Sequence, residues 1–299
     1  MLYQLRKKIK NLPKSKKKIT KVKAIISKAG TLAKNVICIP GFSDSDLDLN
    51  RKVEFSFKSF FVTTISGQHP LIKKVQALRY KSFFNHNSNK EIYDADDFDN
   101  YCDHLVIIDK SVAKDFVVGT YRLLIKPRNK KSQNFYTETE FNIKNMVGLK
   151  NISLLEAGRS CVREGYRDGR IIRLLWRALS TYINKNDVDL IFGCASFPSS
   201  NYHDFANQLS YLHKFHLPPK EYWTSPVDHL KADYKINNYV NSDTEFRNLP
   251  PLIKAYIRAG AWIGAGAIVD KKFNTTDVLI ILKSKNIIKR YSELAINER

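Results

Sequence analysis

At 299 residues, with 43% hydrophobic and 12% aromatic side chains, the chain carries enough apolar material for a sizeable core, which excludes a predominantly disordered protein. Only 12 glycines and 10 prolines exclude a collagenous chain, and no apolar run approaches the ~18 residues of a membrane-spanning helix, the longest being Ala259 to Val269. The formal charge of +21 is unevenly spread, because residues 1–43 hold twelve of the 50 basic side chains and none of the 29 acids. That tail calls for a polyanionic partner: nucleic acid, an anionic membrane surface or an acidic protein.

Within the tail, Leu2, Leu5, Ile9 and Leu12 fall at helical spacing, Pro13 interrupts, and Ile19, Val22, Ile26 and Ala29 repeat the pattern. Two short basic amphipathic helices are expected, of the kind that bury an apolar stripe in anionic lipid at roughly 1 kcal/mol per basic residue near the surface. A solvated disordered tail and an organellar transit peptide are the alternatives. The tail is read as a unit of its own, residues 1–43, ahead of one α/β domain over residues 44–299.

From Asp44 onward the composition is ordinary. Phe55 to Ile65 reads as a strand, and Pro70 to Asn85 as a helix with proline in its first turn. Leu105 to Asp109, Phe116 to Ile125 and Ile152 to Val162 are β-branched or alternating runs bounded by turn residues, hence strands. Gly169 to Asn184 is the clearest helix, with Ile171, Leu175, Leu179 and Tyr182 on one face and Arg170, Arg173 and Arg177 on the other. Asp189 to Phe197 is a continuous apolar strand. Tyr202 to His216 and Leu249 to Ala261 are helical, and Ala267 to Lys271 with Val278 to Lys283 forms a closing hairpin.

Cys38, Cys102, Cys161 and Cys194 have no metal-ligand spacing, so zinc and disulfide scaffolds fall away, and Cys161 and Cys194 lie in or beside apolar strands where a buried thiol is the ordinary outcome. His213 and His216 lack a carboxylate at ligand spacing, and Gly260, Gly264 and Gly266 follow no strand, so neither a metal nor a dinucleotide site is read there. No secretory signal is apparent, and a reducing cytoplasm is the default.

The stronger constellation combines Arg79, the acidic stretch Asp94 to His104, Gly119 with Arg122, and Glu156 with Arg159. Arginines and acids inside or beside apolar strands must pair or form a polar site. Side chains at i and i+3 of a strand face opposite ways, so Glu156 and Arg159 can cooperate only if a bulge, expected at Gly158, re-aims one of them. A bulged strand before a helix N-terminus suits a substrate carbonyl or phosphate.

The order strand, bulge, helix, strand around Glu156 to Phe197 resembles the GNAT N-acyltransferase fold, and Arg79, Phe83, Asp97, Asp99, Gly119-x-x-Arg122 and Glu156-x-x-Arg159 resemble its acyl-homoserine-lactone synthase branch. The runs DFDNYCDHLVIID, VVGTYRLL, LEAGRSCV, IFGCASF, LPPLIKAYIRAGA and FNTTDV resemble more narrowly the L-ornithine N-alpha-acyltransferases, over roughly residues 69 to 291. The resemblance implies a mixed central sheet with helices on both faces. It also implies an enzyme that joins the ornithine alpha-amine to a 3-hydroxyacyl chain from acyl carrier protein, giving lyso-ornithine lipid.

On that resemblance Glu156 is the expected base, directly or through water, and Arg159 would orient it or contact the acyl carbonyl region. Asp97 and Asp99 would hold an ornithine amine, and Arg79 and Arg122 would bind its carboxylate or organise the acids. The segment Arg163 to Arg170 lacks the second small residue of a full pyrophosphate cradle. It fits the single phosphate of a carrier's phosphopantetheine, held by Arg163, Arg167 and Arg170, with Arg173 and Arg177 meeting the acidic carrier. No metal or redox cofactor is implied, since the donor is an activated acyl-phosphopantetheine, and no nucleic-acid partner. The expected location is cytoplasmic, peripheral on the membrane's inner face through the tail. The alternatives are a synthase acylating another amine and a basic nucleic-acid-binding protein. The second would interleave aromatics with its lysines, and the densest basic segment has only Tyr3.

Overall fold

The computed structural model describes residues 52–84, 92–126 and 134–287. The basic tail and the helices expected in it lie outside the described residues. The run Phe55 to Ile65 is a hairpin rather than one strand: β1 (Glu54–Phe57) and β2 (Phe60–Ser66) turn on Lys58 and Ser59. Lys58 takes φ 53°, a left-handed conformation that the sequence does not advertise with Gly or Asn.

Helix α1 (Ile72–Phe84) and a short 3-10 turn (Asp97–Asn100) lead into β3 (Asp103–Asp109) and β4 (Val117–Lys126). After the small elements β5 (Phe141–Asn142) and α2 (Lys144–Val147) come β6 (Leu154–Val162), α3 (Arg170–Lys185) and β7 (Leu190–Phe197). Then follow α4 (Ala206–Phe215), β8 (Ser225–Pro226), α5 (Ser242–Asn248) and α6 (Pro251–Arg258). The closing strands are β9 (Trp262–Ile263), β10 (Ile268–Asp270) and β11 (Thr275–Lys283). None of the helices among the described residues is long and apolar enough to cross a membrane.

The main sheet runs β1-β2-β3-β4-β6-β7-β11-β10, with β9 also on β11. Every neighbouring pair is antiparallel except β6 and β7, which α3 connects, as a crossover between parallel strands requires. Alternation along β3 divides the core between two faces. Leu105 and Ile107 pack with Ile171, Leu175 and Leu179 of α3, while Val106 and Ile108 pack with Val75 and Leu78 of α1. Gly119 of β4 permits the close approach of α3, since a Cβ there would stand 2.6 Å from Ile171 Cγ2. The expected stripe of α3 is buried, and Arg170, Arg173 and Arg177 are exposed.

Candidate active site

The parallel pairing of β6 with β7 covers only Leu154 to Glu156 against Leu190 to Phe192. Beyond this, β6 stays paired to β4 as far as Val162, and β7 stays paired to β11 as far as Phe197. Each strand is thus held from outside while the edges between them part. Gly193 sits at the point of divergence, where a Cβ would lie 2.3 Å from the Ala157 carbonyl oxygen, so no larger residue fits there. A cavity of about 440 Å³ opens in the split. Its walls include Glu156 to Ser160 of β6, Gly193 to Ser196 of β7, and Asp277 of β11, with Tyr136, Glu140 and Phe273 from connecting segments.

A bulge breaks the β4–β6 register between Thr120 and Arg122, where Arg159 and Ser160 together face Tyr121. It is one residue later than expected, because Arg159 rather than Gly158 takes the left-handed conformation, at φ 51°. That conformation costs a side-chain-bearing residue about 1 kcal/mol. Arg159 is held in it by ion pairs to Asp94 and Asp96, both at 3.3 Å, and by stacking between Tyr136 and Phe273.

Glu156 is buried and does not pair with Arg159. Its Oε1 accepts from the Thr137 backbone N–H at 2.6 Å and from the Thr137 hydroxyl, and its Oε2 accepts from the Tyr136 N–H at 3.1 Å. Burial raises the carboxyl's pKa above its ordinary value, against the opposing pull of these bonds and of Arg122. A carboxylate oxygen accepts two good hydrogen bonds, so Oε1 is satisfied and Oε2 keeps one lone pair. That atom belongs to a cavity-lining side chain.

The other predicted residues form a structural network. Arg79, fully buried, bonds Asp94 and Asp99, each at 2.7 Å, and Arg122 reaches Asp96 at 2.6 Å and Asp99 at 3.2 Å. With Arg159 this makes three arginines alternating with three aspartates, a buried cluster without net charge. Burial alone would raise the Asp99 carboxyl, but Arg79, Gln76 and Arg122 hold it at about 2. Arg79 and Asp99 therefore engage one another and do not line the cavity, so Asp99 lacks the contact with a substrate amine expected of it, and Arg79 organises the acids, the second of its two expected roles. Asp97 is solvent-exposed and stands outside the cluster, and Asp94 and Asp96 take the places expected of it. The network pins the segment before β3 against the bulge, and only Arg122 and Arg159 of its members reach the cavity.

A second group of acids escaped the sequence reading. Glu140, Asp270 and Asp277 bring carboxylate oxygens within 4.8 Å of one another. Burial, then repulsion from neighbouring Asp277 and Asp270, raises Glu140 to about 7, and burial with the charge of Asp270 raises Asp277 to about 6. A signal was present: Asp277 directly precedes the apolar run VLIIL in the same strand, an expensive placement that wants a purpose. Beside Glu140, burial pushes the Cys194 thiol well up, and that of Cys161 to about 12, so neither is a thiolate nucleophile at neutral pH.

The arginines expected to hold phosphate lie on the turn before α3. Arg163 Nε donates to the Val117 carbonyl, Arg167 Nε to that of Val162, and Arg170 pairs with Asp168 at 2.7 Å. Asp168 also accepts the Arg170 N–H, so a side chain of the protein already occupies this helix start. Arg173 and Arg177 remain exposed, the latter over the Phe55 ring.

Residues 78–177, which include Arg79, Arg122, Glu140, Glu156 and Arg159, match the acetyltransferase (GNAT) domain family. An L-ornithine N(alpha)-acyltransferase from Brucella abortus (strain 2308) is 35% identical over 240 residues, 76% of this chain and 85% of the relative. One from Agrobacterium fabrum (strain C58 / ATCC 33970) is 36% identical over 242 residues, 77% of this chain and 83% of the relative. The solved CoA-dependent acyl-homoserine lactone synthase MesI aligns with 77% of this chain and 93% of its own, at 9% identity and a TM-score of 0.43. With that identity extending over most of each relative's length, the chain belongs to the L-ornithine N(alpha)-acyltransferase family and is an acyltransferase of the GNAT fold.

Proposed function

We propose that the protein transfers a 3-hydroxyacyl group from the phosphopantetheine thiol of acyl carrier protein to the alpha-amine of L-ornithine, giving lyso-ornithine lipid. The observation that carries the reading is the cavity at the β6–β7 split, with Glu156 in its wall, in a chain of this family. An extended acyl-pantetheine arm bears amide donors and acceptors that suit two strand edges which no longer pair with each other.

In the reaction, the neutral amine nitrogen attacks the thioester carbonyl, a C–N bond forms and the C–S bond breaks. The proton shed by nitrogen passes to the free lone pair of Glu156 Oε2, directly or through water, and leaves with the thiol. Backbone N–H groups of β6 beyond Glu156 face the developing oxyanion. The thioester is already activated, so the chemistry asks for orientation and proton transfer rather than a metal or redox cofactor.

The exposed Arg173 and Arg177 supply positive charge for an acidic carrier, and the basic tail supplies it for an anionic membrane surface at which the lipid product would collect. The test incubates the purified full chain with L-ornithine and either 3-hydroxyacyl-acyl carrier protein or 3-hydroxyacyl-CoA, and detects the amide by mass spectrometry. Product from the carrier-bound donor supports the reading. Product only from the CoA ester replaces the donor, and no acylated ornithine from either refutes the reaction.

A further inference from the structure

Ornithine differs from most amino acids in carrying a second cation, and a protein that selects it needs somewhere to put that charge. Most acids around the cavity are committed. Asp94, Asp96 and Asp99 are neutralised by Arg79, Arg122 and Arg159, and Glu156 already accepts three hydrogen bonds. Glu140, Asp270 and Asp277 are different: among the described residues none of the three takes part in an ion pair, and Asp270, whose Oδ1 accepts the Lys272 and Phe273 N–H groups, has its second oxygen to offer.

Both Glu140 and Asp277 are more than nine-tenths buried, and both line the cavity together with Asp270. Glu140 Oε2 and Asp277 Oδ1 have no hydrogen-bond partner. An acceptor atom in that position is costly to bury unless something donates to it. A primary ammonium has three N–H donors and no acceptor, which matches one oxygen from each of three carboxylates.

We infer that Glu140, Asp270 and Asp277 form a cradle for the side-chain ammonium of the acceptor amino acid, holding it across the cavity from Glu156. The inference rests on the ornithine reading above and adds to it the residues that set the choice of amine. Glu156 stands on β6, whereas Asp277 and Asp270 stand on β11 and β10, beyond β7, and Glu140 joins them from the residue before β5. The two nitrogens of extended ornithine are separated by five bonds and span ~6 Å, a length that such a cavity accommodates. A divalent cation, with water completing its shell, is the competing occupant of three carboxylates, and the ammonium is preferred because the acceptor named for this family brings one. Three carboxylates offering one oxygen apiece fit three N–H groups more simply.

The experiment uses the full chain and compares L-ornithine with L-norvaline, which has the same carbon chain without the terminal amine, as acceptors and as ligands in calorimetric titration. The wild type should prefer ornithine in kcat/KM, and Glu140→Gln and Asp277→Asn should each reduce that preference by roughly 10²- to 10³-fold. Thermal melting checks that both variants fold. Each removes a buried charge while keeping the side chain's shape, so neither should melt lower at pH 8.

Folded variants that keep the wild-type ratio overturn the cradle while leaving acylation of ornithine intact. If the wild type binds ornithine but does not acylate it, and the variants lose that binding, the cradle stands and the reaction fails. If ornithine neither binds nor reacts, both fail. If EDTA removes ornithine binding and added Mg²⁺ or Ca²⁺ restores it, the three acids hold a metal and the ammonium assignment is wrong.

Discussion

Replacing Glu156 by glutamine separates proton transfer from architecture. The amide oxygen can keep the two bonds that Oε1 accepts from Thr137, but the amide NH₂ then faces the Tyr136 N–H, donor against donor. Losing that bond and leaving a buried N–H unmatched costs about 1–3 kcal/mol. Part of this is returned, because burial already disfavours the charge that the substitution removes. At roughly 2–4 °C per kcal/mol for a domain of this size, the melting temperature should fall by no more than about 10 °C, leaving the protein folded at 25 °C. If Oε2 takes the amine proton, single-turnover amide formation should drop by roughly 10²- to 10⁴-fold with little change in ornithine affinity. A folded Gln variant that forms amide within about threefold of the wild-type rate would remove Glu156 from proton transfer, and the proton would then leave through water alone.

Gly193→Ala should be severe, because the added Cβ meets the Ala157 carbonyl oxygen at 2.3 Å: a loss of about 1–3 kcal/mol or more in urea unfolding, together with loss of turnover as the split widens. Glu140 and Asp277 set a pH dependence of their own. Their folded pKa values, about 7 and about 6, lie above the ordinary 4.5 and 3.8, so the folded chain holds more protons, and the stability they contribute is present below about pH 4 and lost as pH rises through 6 and 7. With Tyr136, Cys194 and Asp270 around Glu140, and Asp270 and Arg159 near Asp277, melting without ornithine should be lower at pH 8 than at pH 6, and Glu140→Gln should flatten the trend. Reversing Arg173 and Arg177 to Glu alters exposed side chains, so it should raise the KM for the acyl carrier by about tenfold at low salt, less at high salt, and leave the melting temperature within a few degrees. An unchanged KM would put the carrier contact elsewhere.

The long periodic elements were legible because each buries one face. The four apolar residues of α3 fall on the sheet side, and β7, apolar but for Ser196, has β11 along one edge and β6 along the first part of the other. The charged residues were legible as a group but not in their partnerships. That Asp94 and Asp96 rather than Asp97 join the arginines depends on the path of the irregular segment entering a short 3-10 turn, which no periodicity reveals. Likewise Lys58 and Arg159 turn the chain in left-handed conformations where glycine would have been the signal. Glu140 and Asp277 lie far apart in sequence and meet only because β11 pairs with β7 on the far side of the split. Their convergence is a property of strand order, which local pattern does not encode.

The split between β6 and β7 is kept open by neighbours on either side, so it is a permanent gap in a sheet rather than a groove formed by loops. A molecule entering it in extended form meets two strand edges at once and serves as the missing strand. Short peptidomimetics with a strand-like backbone should therefore act as competitive inhibitors against the acyl donor. Their potency should track the match of their amide spacing to the ~3.3 Å rise of a strand more closely than the nature of their side chains.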